Sequence, residues 1–164
     1  MIPLPDPPLR SGDLLLRPWH LDDAPALVEA WADPEIQRWT AVPTTRELAY
    51  AERWIGGEEA RRQRNLSLDL VVERDGAVAG EVGFVAYEQQ AETVEVGWWV
   101  APAHRGRHLA STAARLLADW IAAELGWAAV VRCHPENPAS AAVARNAGFH
   151  PGPADPAGGI WVRP

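Results

Sequence analysis

Apolar residues return every three or four positions between Leu21 and Ala32, where Leu21, Ala24, Leu27, Val28 and Trp31 share one face. That period predicts a helix, and Asp22 and Asp23 in its first turn complement the helix dipole. Thr44 is placed to cap a second, longer helix running towards Arg64, with Leu48, Tyr50, Ala51, Trp54 and Ile55 on its buried side and Gly56-Gly57 set to break or kink it. From Leu66 the period drops to two. Leu66, Leu68, Leu70 and Val72 alternate with polar positions, and Asp75-Gly76 supplies a hairpin turn before a second strand from Val78 to Ala86. A third strand, Thr93 to Val100, follows the polar link Glu88 to Glu92 and is closed by Pro102. Next come a loop with glycine, a helix from about Leu109 to Leu125, a strand from Ala128 to His134, a short helix from Pro138 to Ala147 and a final strand over Ile160 to Val162. At the other end, residues 1–10 read as an irregular Pro-rich arm, and Asp13 to Trp19 as a short first strand stopped by proline.

Helices interleaved with antiparallel hairpins predict a mixed α+β domain, and 164 residues with 48% hydrophobic content bury one core rather than two. A single domain over residues 1–164 is expected. The formal net charge of −7 argues against a general nucleic-acid-binding surface, which needs clustered basic residues. The opening Met1-Ile2-Pro3-Leu4-Pro5 lacks the build of a secretory signal, and no apolar run approaches the ~20 residues that span a bilayer, so a cytoplasmic protein is expected. The single Cys133 reads as a small buried residue of a strand and offers no cysteine cluster for a metal. Nine tryptophans are many for this length and are expected as core or as walls of a ligand groove.

The chemistry concentrates between Trp98 and Ala110, where Trp98-Trp99-Val100-Ala101-Pro102-Ala103-His104-Arg105-Gly106-Arg107-His108-Leu109-Ala110 runs from strand through loop to helix start. Unpaired N–H groups at a helix N-terminus hold phosphates, Arg105 and Arg107 add charge-assisted hydrogen bonds, and Gly106 lets the backbone come close. Taken alone, the same residues also make an ordinary solvated basic turn.

The ordered set resembles the GNAT superfamily: Leu14-Leu15-Leu16-Arg17 near the start, Glu95-Val96-Gly97-Trp98-Trp99-Val100-Ala101-Pro102 before the loop, then Asn137-Pro138-Ala139-Ser140 and Gly148-Phe149. It is most similar to the branch that acetylates ribosomal protein N-termini, and the likeness covers roughly residues 10 to 150. The resemblance implies a GNAT fold, a central twisted, splayed and mostly antiparallel sheet flanked by helices. It implies acetyl-CoA as acyl donor, with no metal. The pantetheine arm would lie in the split between the Trp98–Val100 strand and the 128–134 strand, pairing with backbone amides near Trp99 and Val100. The pyrophosphate would sit on Arg105, Gly106, Arg107, His108, Leu109 and Ala110. Asn137 would hydrogen-bond the pantetheine, although its place before Pro138 also makes it a helix cap.

Three positions depart from the family pattern. His108 stands where a second glycine is usual, and either crowds the phosphates or donates to them; Thr112 stands where this branch often has Glu. Ala144 occupies the place where other branches carry a tyrosine acid, so Ser140 is the candidate to protonate the leaving thiolate, against its reading as a plain helix N-terminal serine. Glu95 is the expected proton acceptor for the attacking amine, with Glu92 and His134 as alternatives, His134 being also a common structural hydrogen-bonder.

After Phe149 only fifteen residues remain, so a closing hairpin to wall the acceptor groove looks shortened. An open groove suits a peptide N-terminus or a carrier-bound amine, and a homodimer partner could supply the missing wall. The expected reaction is transfer of acetyl to a primary amine of a protein N-terminus or a small molecule. The rivals are another acyl donor, either a longer acyl-CoA or an aminoacyl carrier, and a non-catalytic binding protein of the same fold.

Overall fold

The computed structural model describes residues 1–88, 92–155 and 158–163. Eight strands form one sheet in the order β1-β2-β3-β4-β5-β6-β8-β7. They are β1 Leu9–Ser11, β2 Leu14–Arg17, β3 Ser67–Arg74, β4 Ala77–Glu88, β5 Thr93–Val100, β6 Ala128–Cys133, β7 His150–Asp155 and β8 Gly158–Arg163. All neighbours are antiparallel except β5 and β6, as a mixed and mostly antiparallel sheet requires.

The β3–β4 turn is the one that the sequence announces. Asp75 and Gly76 both take left-handed backbone angles, φ 52 and 74, and Arg74 faces Ala77 directly, which is the geometry of a two-residue hairpin turn.

Side chains alternate across the sheet and find different partners on each side. Leu68, Leu70, Val82, Phe84, Val94, Val96, Ala129 and Val131 form one core with α5 (Leu109–Trp120) and α6 (Pro138–Asn146). Ala113, Ala114 and Ala118 keep α5 close to the strands. Val71 and Trp99 point the other way, into a second core with Trp19 and with Leu27, Trp31, Ile36, Ala51 and Ile55 from α1 (Ala24–Trp31), α2 (Pro34–Trp39) and α3 (Leu48–Gly56).

Several expectations need correction. The N-terminal arm is not irregular throughout: Leu9 and Arg10 belong to β1, and Ile2 is buried with its N–H donating to Arg62 O at 3.0 Å. Pro8 is the last proline of the arm, and past it the chain can donate to a ladder again. The helix expected from Thr44 starts at Leu48, because Thr45 Oγ1 accepts Glu47 N–H and Glu47 remains extended, so Thr44 is not its cap. It breaks at Gly57 as anticipated, and α4 (Glu58–Gln63) follows. Helix α2 was missed, although Asp33 caps it by accepting Ile36 N–H at 2.9 Å and Pro34 occupies its first position. Strand β7 was missed because of Pro151 and Pro153; a sheet edge tolerates prolines, since the absent N–H would have faced solvent. The closing segment is therefore a hairpin of two six-residue strands.

Arg17 joins the first strand to the helical layer. It donates to both carboxylate oxygens of Asp23 at 2.7 and 2.9 Å and to Glu73 at 2.5 Å. Burial works against the charge on Asp23, but Arg17 outweighs it and holds the carboxyl below its ordinary value. We expect Arg17→Leu to lower stability by roughly 2 kcal/mol at pH 7. Because the folded pKa of Asp23 is depressed, this contribution is present above the ordinary carboxylate pKa and is lost as pH falls through the folded value. Urea denaturation at pH 7 and pH 3 should therefore find the variant closer to wild type at the lower pH.

Candidate active site

Parallel pairing between β5 and β6 runs only from Thr93–Ala128 to Glu95–Val130. Beyond Glu95 the two strands separate, leaving one edge of β5 from Val96 to Val100 without a strand partner. This is the expected split. On one side of it lies a cavity of ≈ 520 Å³ lined by Trp98, Trp99, Val100, Arg105, Gly106, Arg107, His108, Leu109, Ala110, Asn137 and Ser140. All ten residues expected to hold the donor therefore face one space.

Local geometry explains the anion-binding character of that space. Gly106 and His108 both take left-handed angles, φ 75 and 57, which turn the chain into α5 with no side-chain cap on the helix's first amides. Arg107 is exposed and makes no ion pair among the described residues. Arg105 is more committed: its Nε donates to Val100 O at 3.1 Å and its Nη2 to Asp33 at 2.7 Å, so it ties the loop to the cap of α2. Asn137 Oδ1 accepts Ser140 N–H at 3.1 Å, so the capping role is realised while the side chain still borders the cavity. His108 carries the backbone strain of a non-glycine residue in the left-handed region, about 1–2 kcal/mol. We expect His108→Gly to raise stability by about 0.5–1 kcal/mol, since the looser unfolded chain offsets part of the relief. A thermal melt reads this, and an unchanged midpoint would mean that the imidazole makes up the difference.

A second cavity, ≈ 360 Å³, opens on the opposite face of the sheet. Its floor follows from the register. Gly83 faces Gly97 across β4–β5, and Asp69 faces Gly83 across β3–β4, so a row that would carry side chains is empty in the middle. Gly97 is exposed, and a Cβ there would meet nothing within 4 Å, whereas one on Gly83 would press on Leu68 O at 2.6 Å and Asp69 Oδ1 at 2.8 Å. Trp31, Trp39, Trp54, Trp98 and Trp99 border the trough together with the chain from Thr40 to Pro43. Among the described residues, the walls thus come from α1, α2, α3 and the segment after α2.

Trp39, Thr40, Trp98, Trp99 and Ser140 line both cavities, so the two spaces meet there. Ser140 also hydrogen-bonds the buried Cys133 thiol, which burial pushes above its ordinary pKa. Glu95 borders the trough, 3.5 Å from Arg132 in an ion pair. His134 borders neither cavity; it stacks on Trp39 at 5.6 Å, and its Nδ1 accepts Glu136 N–H at 3.1 Å. Glu92 lies at the far end of β5, beside Met1, Ile2 and Trp127.

Two carboxylates of the site escaped sequence reasoning. Asp69 and Glu81 both line the trough, and burial raises the pKa of both. Glu81 is pushed to about 8, by burial first and by the neighbouring Asp69 charge second, against the pull of the Trp99 N–H that donates to it at 3.0 Å. The only signal in the sequence is an acidic residue at an alternate position of an apolar strand, which ordinarily marks a solvent face.

Known proteins place this architecture. Over 115 residues the chain is 27% identical to an uncharacterised N-acetyltransferase, p20, of Bacillus licheniformis, covering 68% of this chain and 64% of that protein. The match thus leaves about a third of the relative's length outside it. RimJ of Mycobacterium smegmatis, solved with a CoA disulfide, superposes with a TM-score of 0.81 at 21% identity, covering 95% of this chain and 85% of that one. An acetyltransferase of Agrobacterium tumefaciens gives a TM-score of 0.77 at 27% identity over 96% and 94% of the two chains. The family model described as an acetyltransferase (GNAT) domain matches residues 13–150, and this chain, with the splayed sheet that the resemblance implied, belongs to the GNAT superfamily.

Proposed function

We propose that this protein is an acetyl-CoA-dependent N-acetyltransferase acting on a primary amine. The observation that carries the reading is the meeting of two cavities at Trp98, Trp99 and Ser140, one bounded by the uncapped start of α5 and the other by a tryptophan-walled trough. The donor's pyrophosphate fits the amides and guanidinium of Arg105–Ala110, and its pantetheine arm fits the unpaired edge of β5. The p20 relative and the RimJ structure support the same class.

In this reading the amine nitrogen attacks the thioester carbonyl carbon, and the oxyanion that forms is held by backbone N–H groups of the Trp98–Val100 edge. The nitrogen loses its proton to Glu95, directly or through water. The C–S bond then breaks, the Ser140 hydroxyl donates a hydrogen bond to the departing thiolate, and the proton that Glu95 accepted passes through water to the thiolate, which restores both side chains. The products are an N-acetyl amine and free CoA. Acceptors of this class include small amines and peptide N-termini, and a trough of ≈ 360 Å³ suits the former or the first residue of the latter.

The test is thiol release from acetyl-CoA across a panel of amines, with the acetylated product identified by mass. No release with any amine, beside tight CoA binding, would overturn the reading in favour of a binding protein. Release from longer acyl-CoA alone would reassign the donor. We expect Glu95→Gln to lower turnover at neutral pH by roughly 10²-fold or more with CoA affinity unchanged; undiminished turnover removes Glu95 from the mechanism.

A further inference from the structure

The trough holds a pair of carboxylates that the acyl transfer does not use. Asp69 and Glu81 project from β3 and β4 into the part of the trough walled by Trp31 and Trp54, residues that border the acceptor cavity but not the donor cavity. Arg61 stands 3.5 Å from Asp69 and stacks over Trp54 at 4.4 Å, offsetting one negative charge. The other nearby carboxylate, Glu58, is already paired with Arg62 at 2.9 Å. Ionised, Glu81 would be left without a counter-charge, and burial accordingly pushes its pKa up so that it holds its proton. Its Oε1 accepts the Trp99 N–H, but its Oε2 is buried and accepts no hydrogen bond among the described residues. Trp19 Nε1 makes no bond of normal geometry either, but it is a donor that bears on Glu81 and lowers its pKa, so only the Glu81 oxygen is open to a cation. A buried carboxylate oxygen short of a donor is a place where a cationic ligand can complete the hydrogen bonding.

We propose that Asp69 and Glu81 form a recognition site for a second, protonated nitrogen of the acceptor, so that the preferred substrate is a small diamine rather than a monoamine. This rests on the acetyltransferase reading above. A paired carboxylate favours the charged form of an amine and so suppresses its nucleophilicity. The nitrogen held by Asp69 and Glu81 is therefore the one that does not react, and the reacting nitrogen lies towards Ser140 and Glu95. Adjacent strands lie about 4.8 Å apart, so β4 stands one spacing and β3 two spacings from β5, and a nitrogen held between Asp69 and Glu81 lies roughly 5–10 Å from one over Gly97, a range that includes the span of a short alkyl chain. The tryptophan walls suit both parts of such a molecule, their edges packing on methylenes and their faces on the cation. A cation entering this site also brings the net charge of Asp69, Glu81 and Arg61 to zero, and Glu81 releases its proton as it arrives.

The experiment compares butane-1,4-diamine with butan-1-amine, which differ only in the second nitrogen, on the wild type and on Glu81→Gln and Asp69→Asn. Calorimetric binding to the full chain is measured alongside acetyl transfer. We expect the wild type to bind the diamine at least tenfold more tightly than the monoamine. Glu81→Gln should bring the ratio of diamine to monoamine affinity close to one while its CoA affinity stays unchanged. Asp69→Asn gives the same readout should Glu81→Gln fold poorly. Equal affinity for the two amines in the wild type overturns the proposal, as does a variant that weakens both equally. If the diamine binds selectively but no amine is acetylated, the recognition site stands and the catalytic reading falls.

Discussion

Trp99→Ala is expected to cost about 3–5 kcal/mol of folding stability, the range for removing a large aromatic side chain from a core. Trp99 is 5% exposed and packs in the second core against Trp19, whose ring centroid is 6.3 Å away. Its indole N–H also donates to Glu81, so truncation leaves a cavity and a carboxylate with both oxygens unpartnered in one step. Trp99→Phe keeps most of the packing and loses only the donor, and should cost about 1–2 kcal/mol. Urea midpoints of the two variants separate the contributions. Losses of equal size would mean that the hydrogen bond, not the packing, carries the residue. Both variants should also weaken acceptor binding, because Trp99 lies at the junction of the two cavities.

Glu81→Gln is expected to change the pH dependence of stability more than stability itself. In the folded chain Glu81 is raised to about 8 from an ordinary value of 4.5. A group with a raised folded pKa contributes stability that is fully present below its unfolded pKa and is lost as pH rises through the folded one. Between pH 5 and pH 9 the wild type should therefore lose stability on the order of 3 kcal/mol at this position, which the neutral variant retains. The variant should accordingly unfold at higher urea than wild type at pH 9 and at a similar concentration at pH 5. Parallel curves across the range would show Glu81 to be ionised throughout.

Sequence patterns recovered the elements whose periodicity is intrinsic to one segment. Leu68, Leu70 and Val72 alternate because that face of β3 packs in the core with α5 and α6, whereas Leu66 precedes the strand and is exposed, and Leu27 and Trp31 recur because one face of α1 is buried. Asp75-Gly76 was legible because few other pairs adopt two successive left-handed conformations without strain. Helix α2 is six residues long, too short for a period to emerge, and only the Asp33-Pro34 start marks it. Strand β7 hides behind two prolines that matter only if the strand is internal, and its place at the sheet edge is not a local property.

The site divides in the same way. The loop from Arg105 to Ala110 is contiguous, so its capacity to hold an anion is written in six neighbouring residues, and the structure assembles Trp98, Asn137 and Ser140 around it as the motif order implied. The strut from Arg105 to Asp33 is different, since it joins positions far apart in the chain. So is the trough. Gly83 and Gly97 form an empty row only because β4 and β5 pair in that register, and a slip of one residue would turn one of them to the other face. Asp69 and Glu81 look like solvent-facing strand residues until α1 and α3 cover that side of the sheet and take their water away. The sequence alone thus determined the family, most of the helices and strands and a loop with the features of an anion site, because short-range spacing and local backbone preference decide them. Tertiary structure decided the acceptor trough and the protonation of its carboxylates, because desolvation and cross-strand register exist only once distant segments are packed together.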